Sequence, residues 1–326
     1  MSTSAAVVGA EGDAAEALAL RRAVYGKGDA TRADFENLLA RGRRAATGPE
    51  FAVLIAEVAT DVLVRQVDPA GYVTEADAAW LVARLSEGGG LACRAEFETL
   101  KSILGHAVSV PPVLTAFAVR EVEKAILTGR RDAMGGVDHE PGVVTREDVE
   151  ALRAMAFAPT QGSSLHVDKA TAEALFDIAH ATATAANDAE FAEFFAHAVG
   201  NYLIGVAFSG TPDRADVLRR EAELEKGSGF GGFFAAMARG PSRAEVADAL
   251  ESTEAEEEDA YFRENRETER RLREAENVGG DQAKWIIAHL TRGGPLTEAE
   301  KRLLRFLADE AASTPPELAA LLDRAA

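Results

Sequence analysis

Five side chains in the second half of the chain have the types and spacing that could hold a metal ion. Glu190, Glu193 and His197 stand at i, i+3 and i+7, one face of a helix. Asp177 and His180 stand three apart on the segment before it. Two antiparallel helices would turn these carboxylates and imidazoles toward one centre, a donor set that suits a transition metal. The paired Glu-x-x-His signature of a di-iron bundle is missing, and the matching first-half places hold only Glu50 and Glu57. The expectation is therefore no metal, with those five residues as the candidates. Cys93 is the chain's one cysteine, which excludes an intramolecular disulfide and a cysteine-rich zinc site. A lone thiol with no adjacent base is expected to be inert. The chain has no Gly-x-Ser-x-Gly elbow, no phosphate loop and no dinucleotide fingerprint. Gly227–Gly232 is glycine-rich but lacks the Lys-Ser/Thr that follows a phosphate loop. The expectation is no catalytic residue and no cofactor.

One local pattern recurs four times. It reads Gly28-x-x-Thr31-x-x-Asp34, Gly71-x-x-Thr74-x-x-Asp77, Gly142-x-x-Thr145-x-x-Asp148 and Gly294-x-x-Thr297-x-x-Glu300. In a calcium loop the glycine would take position 6 and the acid position 12. Positions 1, 3 and 5 decide against calcium, since Asp68 is the one carboxylate among those twelve places. A threonine followed three residues later by an acid is a helix-capping box, and the glycine suits the turn before it.

With its glycine turn, threonine cap and following acid, the unit resembles degenerate EF-hand proteins. It also looks like the tellurite-resistance TerB-like helical domains, in which such turns join helices. The likeness covers the turns and their helical context. It implies helix–turn–helix elements and carries over no ligand or catalytic residue. A divalent-cation sensor or stress-response protein is the functional alternative it implies.

The elements that must position these residues are helices, and they come twice. Ala19-Leu20-Arg21 leads to Tyr25 as Ala151-Leu152-Arg153 leads to Phe157. Phe51 runs to Leu63 as Phe191 runs to Leu203, 12 residues in each case. Trp80 and Trp285, the only tryptophans, are each followed by a leucine, Gly-Gly, a leucine, then Glu96 or Glu300 and a double proline. Such a long-period repeat is the mark of duplicated architecture. Leu54, Ile55, Val58 and Val62 form a helical stripe, as do Phe191, Phe194, Phe195 and Ala198. The expected fold is all-α: two duplicated multi-helix units with degenerate EF-hand-like helix–turn–helix elements. The expected boundaries are a tail and helix start at 1–17, unit one at 18–128, a linker and turn at 129–150, and unit two at 151–326. The two tryptophans are expected to occupy equivalent, largely buried positions.

Unit two carries 65 additional residues, because Phe51 to Trp80 is 29 residues and Phe191 to Trp285 is 94. This insertion, at about 205–280, brings Phe230, Phe233, Phe234 and Met237 among glycines, followed by a charge-rich stretch. Buried aromatics either staple such a loop to its own unit or anchor a binding surface; on the second reading these four are the expected partner-binding residues. The chain of 326 residues has 35 Lys plus Arg against 54 Asp plus Glu, a net charge of −19, which disfavours a nucleic-acid partner. No apolar run reaches the ~20 residues of a membrane span, and Met1–Asp13 lacks the features of a leader. The expected protein is a cytoplasmic, non-enzymatic interaction or regulatory protein whose partner is another protein.

Overall fold

The protein is described by a computed structural model over residues 3–44, 48–130, 138–157, 167–204, 280–292, 294–311 and 315–325, with 214–215, 217–219 and 222. The described residues form twelve α-helices and no strand. In the first half these are α1 (Thr3–Tyr25), α2 (Arg32–Arg44), α3 (Pro49–Thr60), α4 (Glu75–Leu85), α5 (Arg94–His106) and α6 (Pro112–Thr128). The second half has α7 (Arg146–Phe157), α8 (Lys169–Ala181), α9 (Ala189–Ile204), α10 (Gly280–Leu290), α11 (Glu298–Glu310) and α12 (Pro316–Ala325). A π-helical turn, Asp61–Arg65, prolongs α3. The all-α expectation holds. Phe230, Phe233, Phe234 and Met237 lie outside the described residues.

Local chemistry sets the helix starts. Thr74 accepts from the Asp77 N–H, and Thr297 and Glu300 form a full reciprocal capping box. Thr31 and Thr145 are joined to Asp34 and Asp148 in the same way. All four turn glycines, Gly28, Gly71, Gly142 and Gly294, have positive φ, between 75° and 118°, where a side chain would be strained. Asp168 caps α8 by accepting from the Thr171 N–H. Pro49 and Pro112 sit in the first turns of α3 and α6, where a missing N–H is harmless.

The apolar stripes then meet. Phe51, Leu54, Ile55 and Val58 of α3 are sealed from solvent, and so are Leu100, Ile103 and Leu104 of α5 facing them. Each such side chain contributes about 1.5–3 kcal/mol by burial. α3 has its most extensive contact with α5, and α9 has its own with α11. α1 and α2 also pack on α3, as α7 and α8 pack on α9, and α4 meets α6 as α10 meets α12. α6 joins the halves by packing on both α7 and α8, and α5 also touches α7. One continuous core runs through both halves.

The tryptophans differ from expectation, for both are only half-buried. Each indole closes the rim of the core against a buried phenylalanine: Trp80 tilted on Phe35 at 5.8 Å and Trp285 edge-to-face with Phe176 at 5.6 Å between centroids. The Arg32 guanidinium covers Trp80 from 4.9 Å, and Tyr202 meets Trp285 at 4.9 Å. A large ring at a helix-bundle edge gains burial without being engulfed.

Candidate functional site

The capping acids do more than start helices. Glu96 has no solvent exposure, and its carboxylate accepts from the N–H groups of Ala92 and Cys93 and from Arg43 Nε at 2.6 Å. Arg43 also donates to Glu87 and to the Arg84 carbonyl. The first-half Asp77 pairs with Arg32. In the second half the partners are histidines. His139 Nε2 lies 3.0 Å from the fully buried Asp148, and His180 Nε2 lies 3.0 Å from Glu300, which is 2 % exposed. A buried carboxylate is tolerated only when paired in this way. These pairs are structural, tying a helix N-terminus to a neighbouring element.

An open groove of about 660 Å³ lies between α3 and α5. Val53, Ala56 and Thr60 line one wall, and Lys101, Ser102 and His106 the other. Helical spacing at i, i+3 and i+7 puts Val53, Ala56 and Thr60 on one face. The floor is polar. Thr60 Oγ1 donates to the Ala56 carbonyl at 2.8 Å and lies 2.8 Å from Ser102 Oγ, so Ser102 donates to Thr60. That leaves lone pairs of Ser102 Oγ as acceptors, with His106 Nδ1 3.5 Å away. His106 Nδ1 donates to the Ser102 carbonyl at 2.8 Å, which leaves Nε2 as an acceptor in the neutral imidazole. At the rim Glu57 is held by Arg21 and Arg65 by Asp61. Val53, at 51 % exposure, is an uncovered apolar lip.

The α9–α11 pair is built differently at the same register. Counting from Phe51 and Phe191, Gly200 stands where Thr60 stands. Counting from Glu96 and Glu300, Phe306 stands where Ser102 stands. The Phe306 ring lies directly over Gly200, so close that a Cβ there would come within 2.3 Å of it. His197 meets the same ring at 4.9 Å. Above it Arg302 reaches Glu193 at 2.5 and 2.9 Å, and Glu193 also meets His197 at 2.9 Å. Arg302 and His197 hold the Glu193 carboxyl down to about 2.

The five metal candidates are not gathered. Asp177 pairs with Arg120 and Arg292, Glu190 with Arg146, and His180 with Glu300, while Glu193 and His197 join Arg302. Among the described residues no group of three or more such side chains is placed to hold a metal. Helix ends and lengths put these residues on separate neighbours, each with its own counter-charge. Cys93 is the N-cap of α5, and burial together with the nearby Glu96 pushes its thiol up, away from the thiolate. His289 stacks on Phe176 at 4.7 Å with Nδ1 buried and unpartnered, and burial and Arg292 pull it down. No helix among the described residues is long and apolar enough to cross a membrane.

The groove residues Val53, Thr60, Ser102 and His106 were not among the sequence candidates. Their signal lay in the repeat itself, where Thr60 and Ser102 stand against Gly200 and Phe306. Compared with known protein families, with curated proteins and with solved structures, the chain matches none.

Proposed function

We propose that this protein is a non-catalytic interaction protein built from two related six-helix units, α1–α6 and α7–α12, and that the groove between α3 and α5 receives a protein partner. The observation that carries this is the difference between two otherwise parallel helix pairs: one seals its cleft with Phe306 and an ion cluster, and the other leaves it open. The order of packing supports the two-unit reading, as α1, α2 and α5 gather around α3 in the way α7, α8 and α11 gather around α9. The EF-hand-like character of the turns is supported by their four positive-φ glycines and threonine caps. It is also supported by Val73 and Val144, each two residues after a turn glycine, whose backbone N–H or C=O bonds a neighbouring loop. A cytoplasmic, protein-binding role is consistent with the acidic composition. The insertion at 205–280 is proposed as a second contact region.

The test is a photo-crosslinking amino acid at position 53 in the native cell, with the same probe at position 193 as control. Crosslinking to one protein from position 53 only, lost when Thr60→Gly and Ser102→Phe close the groove, supports the proposal. Equal labelling from both positions, or labelling indifferent to closure, overturns it.

A further inference from the structure

We propose that α10 is an acid-released helix: protonation of His289 detaches it from α8 while the rest of the core stays folded. This goes beyond the groove and does not rest on it. His289 stands in the last turn of α10 and is 8 % exposed. Its ring stacks on Phe176 of α8 at 4.7 Å and meets Trp285 of its own helix at 4.5 Å. Nδ1 is sealed from water and has no hydrogen-bond partner among the described residues. An imidazolium carries an N–H on both nitrogens, so protonation of the docked ring leaves a buried donor unanswered. The two aromatic rings return part of that cost as cation–π contact, and they offer no acceptor to Nδ1.

His139 and His180 differ. Each puts Nε2 on a buried carboxylate, Asp148 or Glu300, so a proton gained there makes an ion pair. The groups around His289 offer it none. On α8, Asp177 is taken by Arg120 and Arg292, and Glu173 by Lys169 and the Trp285 indole. His180 of α8, once protonated, and Arg292 of the turn after α10 both oppose a charge on the ring. On α9 the neighbour is the Tyr202 phenol, set against Trp285. On α11 Glu300 is spent on His180, and on α12 Glu317 is exposed. Burial and Arg292 accordingly hold His289 below its ordinary value. Such a group binds its proton more readily in the released state, so acid favours release. α10 is also lightly held. It seals four residues, Ala283, Ile286, His289 and Leu290, where α9 seals ten. It leads into α11 through a turn with Gly294 at φ 89°, a joint about which a helix can swing. Elements with few buried side chains open at a lower free energy than the whole fold.

The experiment is hydrogen exchange followed by mass spectrometry on the full chain at about pH 7.5 and 5.5, with each rate corrected for the intrinsic pH dependence of exchange. Peptides of α10 are expected to lose protection severalfold at the lower pH, within the about tenfold per pH unit that one proton allows, while peptides of α3 and α5 keep theirs. In a Trp80→Phe background the Trp285 emission should shift to the red over the same range. His289→Phe keeps a ring on Phe176 and should remove both changes. If that variant does not fold, Arg292→Gln, which takes away an exposed cation, must reduce the α10 response. Loss of protection in α10 and α3 together, or no loss in α10, overturns the proposal. So does a response that survives in His289→Phe or, where that variant is unfolded, one that Arg292→Gln leaves unchanged.

Discussion

Arg43 and His180 occupy matching places beneath the first turns of α5 and α11, and each satisfies a buried glutamate. Arg43 spreads three donations over Glu96, Glu87 and the Arg84 carbonyl. His180 makes a single contact to Glu300 and lies 5.9 Å from the Phe176 ring. Two further capping acids, at places that do not match, are paired as well: Asp77 with Arg32 and Asp148 with His139. At the matching starts of α5 and α11 the buried glutamate is thus secured by a permanent cation in one half and by an imidazole in the other. Around these anchors the polarity of the paired grooves is also exchanged: hydroxyls and an open lip on one side, a ring and an ion cluster on the other. Both arrangements start from a glutamate at the third position of its helix with a leucine four residues on, Glu96 with Leu100 and Glu300 with Leu304.

The strongest way to break this comparison is to remove the anchors. Arg43→Ala leaves Glu96 buried without its cation and should cost about 3–5 kcal/mol in urea unfolding. His180→Ala removes one hydrogen bond from Glu300, which keeps the Thr297 N–H, and should cost about 1–3 kcal/mol. Equal losses would show that the two anchors are energetically alike. Next comes the filled cleft. Gly200→Ala drives a Cβ into the Phe306 ring and should cost about 1–3 kcal/mol. Phe306→Leu in the same chain should recover much of that loss, whereas a purely additive pair would deny the contact.

The helices and their starts were legible in the sequence because capping is local: Thr74 and Asp77, or Thr297 and Glu300, need only three residues to find each other. The partners of those acids were not. Arg43 is 53 residues from Glu96 and His180 is 120 from Glu300, so no window along the chain joins them. The metal candidates had sound spacing on α8 and α9. Spacing within a helix does not report the arginines, Arg120, Arg146 and Arg302, that reach in from other helices. The tryptophans were expected to be largely buried and are half-buried, since sequence similarity between two segments does not mark the core's edge. The groove shows in the sequence only when the two halves are laid side by side, as Thr60 and Ser102 against Gly200 and Phe306.

Smaller effects sharpen the contrast. His289 is held below its ordinary value by burial and Arg292, so the unfolded chain binds the proton more readily than the fold does. Stability should therefore be fullest above the unfolded value, near pH 6.5, and fall as the pH drops through and below it. His289→Phe, which keeps a ring on Phe176, should flatten that decline in melts between about pH 7.5 and 5.5. An unchanged slope would exclude His289 as its source. The smallest change is expected at the exposed cluster: Arg302→Gln should cost less than about 1 kcal/mol. It should nevertheless raise the Glu193 carboxyl from about 2 toward the ordinary range in an NMR titration.

α6 has one more consequence. Leu114, Ala118, Val119, Val122 and Ile126 are all sealed, and the helix is pressed against α4 on its own side and against α7 and α8 on the other. α12, by contrast, meets α10 and α11. α6 is therefore a party wall. A fragment ending at Thr128 would keep every helix of the first half and still present a bare apolar face where α7 and α8 had stood. Such a fragment should self-associate through that face, and the halves are better regarded as two rooms sharing masonry than as two houses.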